Sequence, residues 1–417
     1  VIRTNKAGTN WYDEITRFGS TMRHSLGIQG GTDRGRFYLG LSGQEQQGIL
    51  LENDFKRYSG RFNSEWDLGK KVRIGENLQF TYRSVRGQSG GNNGLGVAAI
   101  MALLSSKDIK HPALEAFFTI DEETGMTGAK EMDGGLLSGK ILLNLDTEDD
   151  DELSIGCAGG IDTNTSYKYT QVSVKHDFEC FSIVLKGLLG GHSGMDIHLG
   201  RGNANKLLVR YLYHLVSLVD IQLIEFDGGS LRNAIPREAS CVISAPKGSQ
   251  SFLASETDSY FAMLNREYGL IEPNLSISVG QASDSEKAVD DQDLHKILNA
   301  LYAVHNGVYR MSPEIEGLVE ASSSLARVII KDGEFSTQSL QRSSVESSKG
   351  DIANMIRSAF ENMGCAVVQT GDYPGWAPNS NSRILHLMND LYRTTFNEEP
   401  QVKACHAGLE CGILGKH

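Results

Sequence analysis

The sequence predicts an α/β fold: a mixed, mostly parallel-sheet domain into which a smaller α+β domain is inserted. Three observations carry that expectation. Two short apolar runs, 113–120 and 141–146, each lead into acids, as strands buried in a parallel sheet do where a site forms at their carboxyl ends. A Gly-rich turn at 90–96 feeds an apolar helix at 97–104 just before the first run, so helix and strand alternate. From about residue 179 apolar and polar residues alternate instead, the pattern of half-exposed strands.

In chain order, residues 1 to about 85 are rich in Gly, Arg and Asn and define no clear element. The turn Gly90-Gly91-Asn92-Asn93-Gly94 has no following Gly-Lys-Ser/Thr, which excludes a phosphate-binding P-loop. The run 112–120 reads as a strand, 126–137 as a helix and 141–146 as the next strand. Cys157-Ala158-Gly159-Gly160 is a tight turn at the same edge. Residues 181–186 alternate as a strand, and Asn203 caps a helix to about 218 with Leu207, Leu208, Tyr211 and Leu215 on one face. Further alternation at 221–226, 240–245 and 328–332 points to an antiparallel sheet. A helix near 381–396, a strand at 401–405 and a turn at 406–408 complete the pattern. The expected domains are 1–178 and 369–417 for the larger one, its second part cut short, and 179–368 for the insertion.

The length suffices for a large core, and apolar and charged fractions are those of ordinary globular proteins. A formal charge of −12 disfavours nucleic acid and anionic membranes, which would repel it. The six cysteines are scattered with no C-x-x-C pair, so no zinc knuckle or disulfide framework is expected. The first residues lack the apolar stretch of a signal peptide, and no run reaches the roughly 20 apolar residues of a membrane helix, so the cytosol is the expected compartment.

Glu122 and Glu123 follow the first apolar run and Asp146 ends the second. Carboxylates at such strand ends can hold a cation, and one can act as a base on its water. The competing structural role is a capping box formed by Thr119-x-x-Glu122. His192 lies among glycines in Gly190-Gly191-His192-Ser193-Gly194, which leaves it open to a ligand or free to cap a helix. Asn233, in Leu231-Arg232-Asn233-Ala234-Ile235-Pro236-Arg237, offers an amide beside two guanidiniums; such groups recognise carbonyls and carboxylates, or pair on a surface. Arg342 precedes a helix beginning near Val345, where a substrate carboxylate would be stabilised. Tyr373-Pro374-Gly375-Trp376 reads as a structural aromatic turn. In Cys405-His406-Ala407-Gly408-Leu409-Glu410 a nucleophilic Cys–His pair is disfavoured, because adjacent residues at a strand end do not face one another.

These runs together resemble the aminoacyl-histidine dipeptidases, or cytosol non-specific dipeptidases, of the M20 metallopeptidases. The matching segments include 90–99, 119–129, 143–148, 156–162, 186–194, 200–208, 231–238, 373–376 and 406–412, so the resemblance covers about 90–417. It implies hydrolysis of Xaa-His and other unblocked dipeptides by a catalytic domain carrying an inserted lid, two zinc ions per chain, and a possible homodimer through the lid. Residue by residue, it implies Glu122 as general base, Glu123 and Asp146 as ligands of different metals, and His192 as the lid group that steadies the oxyanion. Asn233 and Arg342 match substrate-holding positions, and His406 lies near the site.

The chain departs from the family pattern at three places. Asn92 stands where the family has a bridging Asp, no His-x-Asp occurs in 1–89, and the chain stops at His417 before the family's His-Ser-Pro-Asp run. The second functional expectation is therefore a non-catalytic peptide-binding relative on the same fold.

Overall fold

The computed structural model describes residues 17–32, 35–48, 54–68, 72–86, 94–122, 125–146 and 149–416. The chain divides into two units, one of residues 1–114 and 145–148, the other of 115–144 and 149–417. In the first, β1 (Thr21–Thr32), β2 (Gly35–Gln47), β3 (Asp54–Leu68) and β4 (Val72–Arg86) form a four-stranded antiparallel meander in that order. Helix α1 (Gly94–Ser105) follows the Gly-rich turn, close to where the sequence places it. The strands were not foreseen. Their many Gly, Arg and Asn residues hide an alternation that the ladder makes visible, because the apolar residues of the strands gather mostly on one side.

The second unit is built on β5 (Glu152–Cys157), β6 (Gly159–Lys168), β7 (Gln171–Ser173), β8 (Phe178–Lys186), β9 (Gly191–His192), β10 (Gln222–Gly228), β11 (Ala234–Ile235) and β12 (Ala239–Pro246). The later strands are β13 (Ser276–Gln281), β14 (Lys287–Val289), β15 (Gly307–Met311), β16 (Val319–Lys331), β17 (Glu334–Ser343), β18 (Ala366–Tyr373) and β19 (Gln401–Cys405). Its helices are α2 (Thr127–Lys130), α3 (Ala204–Leu215), α4 (Gln250–Tyr268), α5 (Asp291–Ala303), α6 (Glu346–Met363), α7 (Arg383–Phe396) and α8 (Glu410–Leu414). A nine-stranded antiparallel sheet runs β13-β8-β12-β10-β16-β17-β6-β18, with β15 on β16.

Period-2 burial along β8 sends Phe181, Ile183 and Leu185 into the core, where they meet the apolar stripes of α3 and α5. Asn203 caps α3 as expected, its side chain accepting from the Lys206 amide at 3.3 Å, and the helix ends at Leu215. Buried tyrosines keep their hydroxyls bonded: Tyr211 to Thr257 Oγ1 and Tyr260 to the Leu207 carbonyl, both at 2.7 Å, while their rings stack at 4.6 Å. Phe335 of β17 and Phe360 of α6 close the other end of the core with centroids 6.2 Å apart.

Helix and sheet are mixed as the sequence predicts, the strands at 181–186, 221–226, 240–245 and 401–405 are present to within a few residues, and 328–332 falls at the end of the longer β16. Two expected strands are corrected. Residues 112–120 and 141–146 lie in neither helix nor strand, and Ile120 and Ile141 are 70% and 63% exposed. A parallel strand exists only through neighbours that complete its ladder; among the described residues the parallel pairing is β19 on β5. The helix expected at 126–137 shortens to Thr127–Lys130, and Gly134 and Gly135, poor helix formers, lie just beyond it.

Glycines allow β6 to approach the 373–376 turn. A Cβ on Gly159 would lie 2.4 Å from the Gly375 nitrogen and 2.5 Å from the Tyr373 oxygen, both backbone atoms. Gly159→Ala should therefore cost about 1–3 kcal/mol, read as a lowered urea midpoint with an unchanged slope.

Candidate functional site

Arg342 is the centre of the site. In the β16–β17–β6 ladder it lies between Ser322 on one side and Gly160 on the other, and Gly160 in turn faces Tyr373 of β18. The missing side chain at Gly160 lets the Tyr373 ring lie across the ladder, since a Cβ there would meet its hydroxyl at 2.6 Å. That hydroxyl accepts from Arg342 Nη1 at 2.8 Å. The guanidinium is buried, with the residue 5% exposed, and its Nε has no hydrogen-bond partner. Asp162, whose carboxyl feels the Arg342 charge, is already paired with Arg232.

The His192 loop closes over this cation. Strands β9 and β11 pair Ala234 with His192, and the Ser193 amide donates to the Asn233 carbonyl at 2.8 Å, so Asn233 and His192 come from one short hairpin-like contact. His192 Nδ1 accepts from the amides of Gly194 and Met195 at 3.2 and 3.0 Å, which puts the proton of the neutral ring on Nε2. Burial, then the Arg342 charge, holds its pKa below the ordinary histidine value against a smaller opposing effect of Asp196. Gly194 is packed against both partners: a Cβ there would meet the His406 oxygen at 2.1 Å and Arg342 Cδ at 3.1 Å.

His406 comes from the turn after β19. Its Nε2 lies 2.7 Å from Ser322 Oγ, one ladder position from Arg342, and its Nδ1 is buried without a hydrogen-bond partner. Burial first, and Arg342 second, push its pKa down to about 3, so the ring is neutral at ordinary pH. The turn is tied to β5 and β6 through the Ala158 amide, which is 3.1 and 3.0 Å from the carbonyls of Cys405 and Ala407. Cys405 is no thiolate: burial raises its pKa, and its sulfur contacts the Ala407 carbonyl at 3.5 Å. Glu122 lies half-buried in the turn that follows Asp121, and that segment meets the His406 turn through Thr119 Oγ1 and Glu410 Oε2 at 2.7 Å.

Four of the expected residues, His192, Asn233, Arg342 and His406, are thus assembled from segments far apart in sequence. Asn92 and Glu123 lie outside the described residues. Asp146 is exposed and belongs to the first unit. Among the described residues no three His, Cys, Asp or Glu side chains are grouped so as to hold a metal ion, so the described donors do not by themselves fit a zinc site. Sequence reasoning missed Ser322 and underrated Tyr373. Ser322 sits in the run Ser322-Ser323-Ser324, which looks like filler, and Tyr373 reads as a turn residue. Only the strand register brings either one to Arg342.

The family description "Peptidase dimerisation domain" matches residues 183–270. The chain is 38% identical over 327 residues to the cytosol non-specific dipeptidase of Escherichia coli, a match spanning 78% of this chain and 67% of that protein. It superposes on the aminoacylhistidine dipeptidase of Vibrio alginolyticus with a TM-score of 0.76 and 39% identity, covering 80% of this chain and 68% of that one. A separate likeness, 30% over 94 residues, is to TonB-dependent receptor P3 of Formosa agariphila; it takes in 21% of this chain and 9% of the receptor.

A histidine whose folded pKa lies below its ordinary 6.5 costs nothing above that pH, where both states are neutral. As pH falls below it, the unfolded state takes up a proton that folded His406 refuses, so stability is lost on the acid side. The stability gap between the chain and its His406→Gln variant should narrow by roughly 2 kcal/mol from about pH 7 to about pH 4.5, measured by urea unfolding. A gap that stays constant would mean that His406 is not held neutral.

Proposed function

We propose that this chain, which belongs to the M20 family of cytosol non-specific dipeptidases, hydrolyses unblocked dipeptides, Xaa-His among them. The observation that carries the proposal is the buried guanidinium of Arg342: Nη1 donates to the Tyr373 hydroxyl, Nε has no hydrogen-bond partner, and the Asp162 carboxyl that feels its charge is already paired with Arg232. A buried cation without an anion costs several kcal/mol. The carboxylate of a dipeptide would supply the missing charge and make Nε a donor to it.

The other residues take roles around that anchor. The Asn233 amide holds the peptide carbonyl, and His192, with its proton on Nε2, donates to the carbonyl oxygen as negative charge develops there. Glu122 takes a proton from the attacking water and returns it to the amine as the C–N bond breaks. Keeping His406 neutral avoids a second buried positive charge beside Arg342, which would destabilise the fold. The family resemblance implies two zinc ions per chain, for which Glu123 and Asp146 match ligand positions while Asn92 stands where the family has a bridging Asp. When bound, zinc supplies a water of lowered pKa. Residues 179–368 form the lid, and the homodimer forms through it.

With Ala-His as substrate, Glu122→Gln should lower kcat by about 100- to 10,000-fold with KM little changed. Arg342→Met should chiefly raise KM, because it removes the carboxylate's partner. Zinc should be found at two per chain by elemental analysis. A chain that binds Ala-His without cutting it, and carries no zinc, would instead support a binding relative.

A further inference from the structure

The first unit presents a surface of a different kind. Along β1, Met22, His24, Leu26 and Ile28 face one way and Arg23, Ser25 and Gln29 the other. The ladder carries that division across the sheet. Leu26 pairs with Leu41, Leu41 with Gly60 and Gly60 with Phe80; the next row is Ile28, Leu39, Phe62 and Leu78. These apolar side chains are open, with Phe80 72%, Leu26 59% and Leu41 50% exposed.

The opposite face is polar and bonded to itself. Arg23 reaches Gln44 at 2.9 Å and Arg36 reaches Glu65 at 2.6 Å, with Ser42 and Ser59 paired between them. Tyr38 and Phe55 are its aromatic exceptions.

The apolar face is also bounded along the strands. A row of His24, Gly43, Tyr58 and Tyr82 borders it at one end, with the two tyrosine rings stacked at 6.4 Å. The charged pair Glu45 and Lys56, 3.7 Å apart, lies beyond that row. The next row is Gly30, Phe37, Ser64 and Glu76, the one polar interruption of this face, and Trp66 stands with Ile74 at the other end. From Tyr58 to Trp66 is nine residues of β3, about 27 Å of strand. Crossing a hydrocarbon core of about 30 Å takes about 9–11 tilted residues.

We propose that this face seats against the hydrocarbon of a lipid bilayer, with aromatic rows at its two interfaces, so that the unit is a segment of membrane-barrel wall. An apolar outer face, a polar inner face and aromatic borders are what such a wall requires of its strands. Four strands are half of the smallest such barrel, and the outer edges of β1 and β4 are where further strands would join. That no described helix is long and apolar enough to cross a membrane has no bearing on strands.

The test is flotation of the full chain with vesicles of dioleoylphosphatidylcholine, which carry no net charge to attract or repel it. The chain should float, and Leu41→Arg and Phe80→Arg should each weaken vesicle binding at least tenfold. Ser42→Arg and Ser59→Arg, on the polar face, should stay within about twofold. Brominated acyl chains should quench tryptophan emission of the chain and lose that effect in Phe80→Arg. No flotation, or equal losses from both faces, overturns the proposal. Dipeptide hydrolysis is assayed on the same samples, so failure of the peptidase reading and failure of this one are told apart.

Discussion

The second unit depends on one constraint, the register of β6, β17 and β16. It fixes Arg342 with Ser322 on one flank and Gly160 on the other. A slip of one residue would turn Arg342 to the other face and bring Gln341 in its place. Everything near the cation is then set. Tyr373 can reach it because Gly160 has no side chain, and His406 can reach Ser322 because the turn after β19 is bonded to Ala158. The glycines at 159 and 160 serve close approach, since neither adopts a positive φ.

The same cation orders the electrostatics. It acts on both His192 and His406, and each is held neutral by burial first and by Arg342 second. A neutral imidazole is either donor or acceptor at each nitrogen, and the Gly194 and Met195 amides take that choice away from His192. Burial and one charge thus lower both pKa values, and two backbone amides set one tautomer.

The two units follow different rules of burial. In the second, period-2 strands cover their apolar face with α3, α5 and α6. In the first, the apolar rows from Leu26 to Phe80 stay open and the polar face bonds to itself. An apolar sheet face that is bounded by aromatic rows and, among the described residues, stays exposed calls for a different apolar neighbour.

The sequence by itself determined the family motifs, the Asn203 cap, the strands of the antiparallel sheet and the residue types of the site. These are local signals: a cap needs three residues, and a half-exposed strand shows its alternation directly. It also named His192, Asn233, Arg342 and His406. It misread 112–120 and 141–146, because an apolar run states that burial is favourable and not that a neighbouring strand is there to provide it. It passed over β1–β4, whose glycines dilute an alternation that becomes plain only across four strands in register. Only the tertiary structure brought Tyr373 and Ser322 to Arg342, left its Nε buried without a partner and assigned the His192 proton. Those depend on residues far apart in the chain that share a ladder, as Gly160 and Arg342 do, and pairing at that distance is decided by packing and register rather than by any local preference.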